Sequence, residues 1–151
     1  LALLALAGMP TWHGMQSGHG PSEKTFFYDL SERKLFAAPR DAVPPIRGIN
    51  DDETDAVRAV VISTNGNPND KRSWKIAYLE TYSPELKGQI EAARRAGASP
   101  LMGRAEAQHH RFVRRVEDAD WHPLNSARGE QIVTEWAFPG VNGITPVVCS
   151  P

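Results

Sequence analysis

Three histidines in the second half of the chain are the side chains best suited to binding a metal ion. His109 and His110 are adjacent, His122 follows, and Asp118 and Asp120 lie between them. A metal site needs several such ligands that converge on one ion. Adjacent side chains on a strand point to opposite faces, so His109 and His110 would not both reach the same ion. The pattern therefore favours surface histidines, and we predict no cofactor.

Arginines are concentrated in the same part of the chain and could form a phosphate-binding face, on which Phe112 or Trp121 would stack a base. Acidic residues interrupt this set, which favours a solvated surface of ion pairs. The chain has 17 Lys plus Arg against 18 Asp plus Glu, a net charge of −1. Its overall field would not attract nucleic acid, and we predict no such partner. The set consists of Arg94, Arg95, Arg104, Arg111, Arg114 and Arg115.

Motifs for nucleophilic catalysis are missing from the sequence. No serine lies in a G-x-S-x-G elbow, and no glycine-rich loop matches a phosphate-binding fingerprint. The single cysteine, Cys149, has no basic sequence neighbour that would favour a thiolate. Triads also assemble from distant residues, so a hydrolase is an open alternative. The sequence favours a protein without catalytic activity.

The elements that must position these residues alternate between strands and helices. Ser83, Pro84 and Glu85 form a helix start, because serine caps, proline fits the first turn and glutamate favours the positive end of the dipole. Gly97 can end that helix. The order β-β-β-β-α-β-α predicts an α+β domain, with a small mainly antiparallel sheet and two helices on one face. The predicted ranges are a hairpin over 26–39, strands over 56–63, 74–80 and 109–121, and helices over 84–96 and 125–138.

The N-terminus begins with the apolar run LALLALAG, which is much shorter than the roughly 20 residues that span a bilayer. It resembles the end of a signal peptide or anchor, and residues 5–7 fit an A-x-A cleavage site. We favour a retained anchor, with the domain on the exported side of the cell membrane. The alternative is a buried N-terminal segment of a soluble protein. The predicted divisions are an apolar segment at 1–8, a linker at 9–25, the domain at 26–138 and an extended tail at 139–151.

A partner or a membrane is expected to contact the apolar and aromatic residues near the N-terminus. Aromatic rings provide a large contact area at a low entropy cost. The expected contact residues are Leu1, Leu3, Leu4, Leu6, Trp12, Phe26, Phe27 and Tyr28.

Several short motifs resemble an uncharacterised family of small exported, membrane-tethered bacterial proteins. The shared features are a Tyr-Asp-Leu hairpin, a Leu-Glu-x-Tyr-Ser-Pro helix start and a Cys-x-Pro end. Thr64 and Asn67 stand where family members often have a cysteine pair. The resemblance implies location and architecture but no activity. The matching residues are Tyr28, Asp29, Leu30, Leu35, Phe36, Pro44, Pro45, Leu79, Glu80, Tyr82, Pro84, Cys149 and Pro151.

These observations lead to two functional hypotheses. The first is a non-catalytic, membrane-tethered accessory or structural subunit of a larger envelope assembly, whose partners are other protein subunits or copies of itself. The alternative is a soluble ligand- or metal-binding domain. It would use His109, His110 and His122, or the basic face from Arg94 to Arg115.

Overall fold

The computed structural model describes residues 23–50 and 52–151, which form an α+β fold. The predicted contact residues Leu1, Leu3, Leu4, Leu6 and Trp12 lie outside the described residues. The strands are β1 (Lys24–Asp29), β2 (Lys34–Pro39), β3 (Ala56–Ser63), β4 (Trp74–Tyr82), β5 (Arg111–Arg114), β6 (His122–Pro123) and β7 (Val147–Val148). The α-helices are α1 (Pro84–Ala96), α2 (Arg104–Ala107) and α3 (Ala127–Glu135).

Local capping explains where the two longer helices begin and end. Ser83 accepts a hydrogen bond from the Leu86 amide at the start of α1, and Gly97 ends α1 in the left-handed conformation. Ser126 caps α3 in the same way through the Gly129 amide. Serine at this position satisfies amide groups that have no partner within the helix. The short helix α2 lies in a region that the sequence predicted to be a loop.

The strands form one sheet in which every neighbouring pair is antiparallel. The order is β2-β1-β3-β4-β5-β6, and β7 also pairs with β3. Residues 139–151 are therefore not only an extended tail, because Val147 and Val148 join the sheet and the Cys149 amide donates to the Val61 carbonyl. The first strand begins at Lys24, within the predicted linker.

A β-bulge shifts the side-chain alternation in the middle of β4. Val61 lies opposite Ile76 and Val60 lies opposite Tyr78, so Ala77 has no opposite residue. The sequence predicted that Trp74, Ile76 and Tyr78 would share one face. Directly opposite residues point to the same face, so the bulge places Tyr78 on the other face from Ile76.

The predicted strand over 109–121 is much shorter in the structure. His109 and His110 belong to a 3₁₀ turn, and only Arg111–Arg114 forms a strand. Asp118 then closes a turn, because its carboxylate accepts from the Arg115 amide while its own amide donates to the Arg115 carbonyl. Asp side chains commonly divert the backbone from strands in this way.

The apolar core lies mainly on one face of the sheet, and Phe27 and Val113 are buried on the other face. Phe26, Val57, Ala59, Val61, Leu79 and Cys149 form its buried cluster. Phe26 packs edge-to-face against Trp74, and the side chain of Phe27 is completely buried beside Phe36. The expectation that Phe26 and Phe27 contact a partner is therefore wrong, because both rings are used inside the domain. Tyr28 is half-buried against the same core.

The turn between β1 and β2 is organised by the buried carboxylate of Asp29. It accepts hydrogen bonds from the Ser31 hydroxyl and from the amides of Glu32 and Ile49. The bond from Glu32 is the main cause that lowers the pKa of Asp29, which burial would otherwise raise. The polar residues of this hairpin therefore have a structural role in its turn.

Candidate functional site

A cluster of charged and aromatic side chains lies on the sheet face opposite the apolar core. Arg58 on β3 is directly opposite Glu80 on β4, and Tyr82 on β4 is directly opposite Arg111 on β5. Residues two apart on a strand share a face, so Glu80 and Tyr82 lie side by side. We call Arg58, Glu80, Tyr82 and Arg111 the arginine cluster.

Glu80 lies at the centre of this cluster and is only 5% exposed. Arg111 Nη2 donates to Glu80 Oε2 at 2.7 Å, and Arg58 Nη1 lies 3.6 Å from Glu80 Oε1. Arg58 Nη2 also donates to the Ala42 carbonyl at 3.0 Å. Two guanidinium groups therefore share one buried carboxylate.

The ring of Tyr82 completes the cluster, and Tyr78 lies on the same face of β4 as Glu80. The guanidinium carbons of Arg58 and Arg111 lie 5.9 and 5.6 Å from the centroid of the Tyr82 ring, within cation–π range. Burial, followed by the nearby charge of Glu80, raises the pKa of Tyr78. Burial alone would lower the pKa of Arg111, but the charge and hydrogen bond of Glu80 outweigh it and raise that pKa. Arg111 therefore keeps its positive charge.

A groove of about 510 Å³ opens beside the cluster. We call it the Arg111 groove. Its walls include Tyr82, Leu86 and Ile90, together with Met102, Arg104 and Arg111, and none of its lining residues is acidic. The chemistry available there is recognition of an anionic group beside an apolar surface.

The predicted basic face from Arg94 to Arg115 is not one surface. Arg104 and Arg111 share the groove, whereas Arg114 lies over the Trp121 ring on the opposite face of β5. Arg115 makes a two-pronged ion pair with Glu135. Arg94 donates to the Asp41 carbonyl, and Arg95 is exposed. Only two of the six arginines are therefore brought together.

His109, His110 and His122 do not form a metal centre. His109 contacts the Asn125 amide, His110 contacts Ser83, and His122 lies opposite Val113 in the sheet. Within residues 23–50 and 52–151, no group of three or more His, Cys, Asp or Glu side chains is placed to hold an ion. The described residues therefore offer no site for the metal-binding form of the alternative hypothesis.

Ser83 and His110 make the contact most similar to a catalytic pair. Ser83 Oγ lies 2.9 Å from His110 Nδ1, and Glu85 Oε2 lies 3.9 Å from the same nitrogen. A catalytic triad uses one ring nitrogen for the nucleophile and the other for the carboxylate. Here both partners face Nδ1, and Ser83 Oγ also caps α1. The contact orients the start of the helix and has no relay geometry.

Cys149 is buried in the apolar core. Burial raises the pKa of its thiol, so the thiolate is disfavoured. A nucleophilic cysteine needs the opposite shift. Cys149 therefore behaves as a small core residue.

A second groove, of about 600 Å³, lies between the sheet and the segment that follows α3. Its lining includes Ile62, Ile76, Trp136 and Pro146, together with the Arg115–Glu135 ion pair. The hydrogen bonds of that pair raise the pKa of Arg115 and lower that of Glu135. Large apolar side chains are exposed along the same segment. We call these the C-terminal surface, and they are Phe138, Val141, Ile144 and Val148.

Sequence reasoning missed Arg58 and assigned no chemistry to Glu80 or Tyr82. The available signal was a single arginine within the β-branched run AVRAVVIS. A charge within an interior strand normally requires a buried partner. Sequence reasoning also missed the C-terminal surface, because the sequence alone does not distinguish an exposed valine from a buried one.

None of the helices in the described part of the chain is long and apolar enough to cross a membrane. No protein-family model, curated protein or solved structure matches this chain. The resemblance to a membrane-tethered family is therefore a prediction that rests on the short motifs alone.

Proposed function

We propose that this chain is a non-catalytic accessory or structural subunit that assembles with copies of itself through the C-terminal surface. In this proposal the apolar residues 1–8 tether the domain to the exported side of a cell membrane. The observation that carries the proposed assembly is the exposure of four large apolar side chains within residues 138–148. The membrane tether rests on the sequence alone.

The exposed apolar side chains of this segment lie within eleven consecutive positions, 138–148. Phe138 is 70% exposed and Val141 is fully exposed, while Ile144 and Val148 are also accessible. Clustered apolar side chains beside a groove are typical of interaction surfaces, whereas single exposed ones are common. Covering Phe138 and Val141 would remove apolar area from water, which favours association.

The charges that line the second groove, beside the C-terminal surface, favour a second copy of the chain as the partner. Lys75 and Glu117 are both exposed at its lining, so one surface carries both signs. In a two-fold dimer each patch meets its own copy, and such mixed charges can pair across the axis. The net charge of −1 adds little repulsion between copies.

Sedimentation velocity of the full 151-residue chain tests the proposal. We expect the chain to associate as its concentration rises. Val141→Asp and Phe138→Ser should each weaken this association by at least about tenfold, because each places a polar group in an apolar contact. Leu101→Asp is the matched control, because Leu101 is 94% exposed but lies outside the C-terminal surface.

A chain that stays monomeric at every concentration would overturn the proposed self-assembly. Equal weakening by Leu101→Asp and Val141→Asp would overturn the assignment to the C-terminal surface.

The membrane tether is tested separately by flotation with lipid vesicles. We expect Leu3→Asp plus Leu4→Asp to reduce the floated fraction, because charged side chains oppose burial in lipid; unchanged flotation would contradict the tether.

A further inference from the structure

The arginine cluster contains more positive than negative charge. Arg58 and Arg111 both face Glu80, which is the only carboxylate to which either is ion-paired among the described residues. Arg104 adds a further positive charge at the Arg111 groove, whose lining has no acidic residue. A surface of this kind is complementary to an anion.

Arg111 is held in place before any ligand arrives. Its Nη2 group donates to Glu80, its guanidinium lies against Tyr82, and its side chain is still 35% exposed. Its Nε atom is buried without a hydrogen-bond partner. The planar guanidinium presents paired donors that match a carboxylate, and a fixed donor loses little entropy on binding.

Most of the remaining groove lining is apolar. Leu86 and Met102 are buried at its walls, and Ile90 continues the same surface along α1. Methionine adapts its shape to irregular apolar ligands. The volume of about 510 Å³ lies in the range of small-molecule sites.

We propose that the Arg111 groove binds an amphipathic carboxylate, that is, an aliphatic chain that ends in one carboxylate group. Arg111 and Arg104 contact the carboxylate, and the aliphatic chain lies along Leu86, Ile90 and Met102. The apolar wall disfavours a highly charged ligand such as a nucleotide. This site is independent of association through the C-terminal surface.

Titration of the ¹⁵N-labelled full chain with decanoate, below its micelle concentration, tests the site. We expect saturable amide shifts centred on Tyr82, Leu86, Ile90 and Met102. Decanol lacks the charge and should bind about tenfold more weakly or worse, because a charge-assisted hydrogen bond is lost. Inorganic phosphate, which lacks the chain, should produce no saturable shifts at these residues.

Variants of exposed arginines separate the groove from general charge effects. Arg104→Gln should weaken decanoate binding by about fivefold, because one of the two cations is removed. Arg95→Gln is the matched control, because Arg95 is exposed and does not line the groove. It should leave decanoate binding unchanged.

Five results would overturn the proposal or its amphipathic assignment. Decanol that binds as tightly as decanoate would show that the carboxylate is not recognised. Equal effects of Arg104→Gln and Arg95→Gln would show that the groove arginine is not specific. Decanoate shifts centred on the N-terminal segment or the C-terminal surface, or no saturable decanoate shifts at all, would show that the groove is not the site. Saturable phosphate binding at the groove in place of decanoate would also overturn the amphipathic assignment.

Discussion

The arginine cluster and the C-terminal surface present opposite chemistry. In the cluster, the buried carboxylate of Glu80 is held between the partly exposed side chains of Arg58 and Arg111. On the C-terminal surface, large apolar side chains are exposed although they lie near the end of the same sheet. Buried charges and exposed apolar groups both depart from the usual distribution. In our two proposals, the cluster therefore supports both the fold and a binding site, whereas the C-terminal surface serves association alone.

The largest expected effect comes from removing the central carboxylate. Glu80→Ala should destabilise the protein by about 2–3 kcal/mol, because the partly exposed Arg58 and Arg111 would lose their shared buried carboxylate. Urea denaturation measures the change, and the exposed Glu106→Ala is the control. A loss as small as that of Glu106→Ala would show that the cluster does not support the fold.

A smaller effect is expected where the start of α3 packs against β6. A Cβ atom at Gly129 would lie 2.0 Å from the Pro123 carbonyl oxygen, whereas one at Gly88 would meet nothing within 4 Å. Gly129→Ala should therefore destabilise by about 1–3 kcal/mol. Gly88→Ala should stabilise α1 by about 0.5–1 kcal/mol, because alanine favours helix. Equal thermal shifts for the two variants would contradict this packing.

Cys149 tests whether the C-terminal segment is anchored in the core. Cys149→Ser should cost about 1 kcal/mol in unfolding free energy, because a hydroxyl replaces a buried apolar thiol. Ser150→Ala is the neighbouring control, because Ser150 is exposed. If both variants unfolded at the wild-type urea concentration, the segment would not be packed as described.

The Arg115–Glu135 pair predicts a pH dependence beside the C-terminal surface. The folded-state pKa of Glu135 is lowered, so its stabilising contribution is present above the unfolded value of about 4.3 and is lost as the pH falls through the folded value. Glu135→Gln should therefore be less stable than wild type at pH 7 and should approach it at pH 3. A stability difference that does not change with pH would contradict this prediction.

The smallest expected effect on stability lies on the C-terminal surface. Val141 is fully exposed, so Val141→Asp should change the unfolding free energy by no more than about 0.5 kcal/mol. The same change should disrupt association. A large loss of stability, measured by urea denaturation at a concentration where the chain is monomeric, would mean that Val141 supports the fold.

Local sequence signals predicted much of the fold. The Ser83-Pro84-Glu85 start and the Gly97 end of α1 depend on neighbouring residues only, and both are confirmed. The bulge at Ala77 and the pairing of β7 with β3 depend on distant strands, so no local pattern indicated them. The α+β class with a mainly antiparallel sheet is confirmed.

The candidate site could be predicted only in part. Arg104 and Arg111 were recognised as arginines of interest, but their shared groove is formed by contacts across α1, α2 and β5. Arg58 lies 22 positions before its opposite residue Glu80, so their pairing depends on strand register. Register follows from the whole sheet and is not encoded by one motif.

Hydrogen–deuterium exchange of the full chain at low and high protein concentration tests the central proposal most directly. Self-assembly through the C-terminal surface predicts that amides within 138–148 become more protected as concentration rises, while those near the exposed Leu101 do not change. Unchanged exchange within 138–148, or new protection confined to the region of Leu101, would contradict the account.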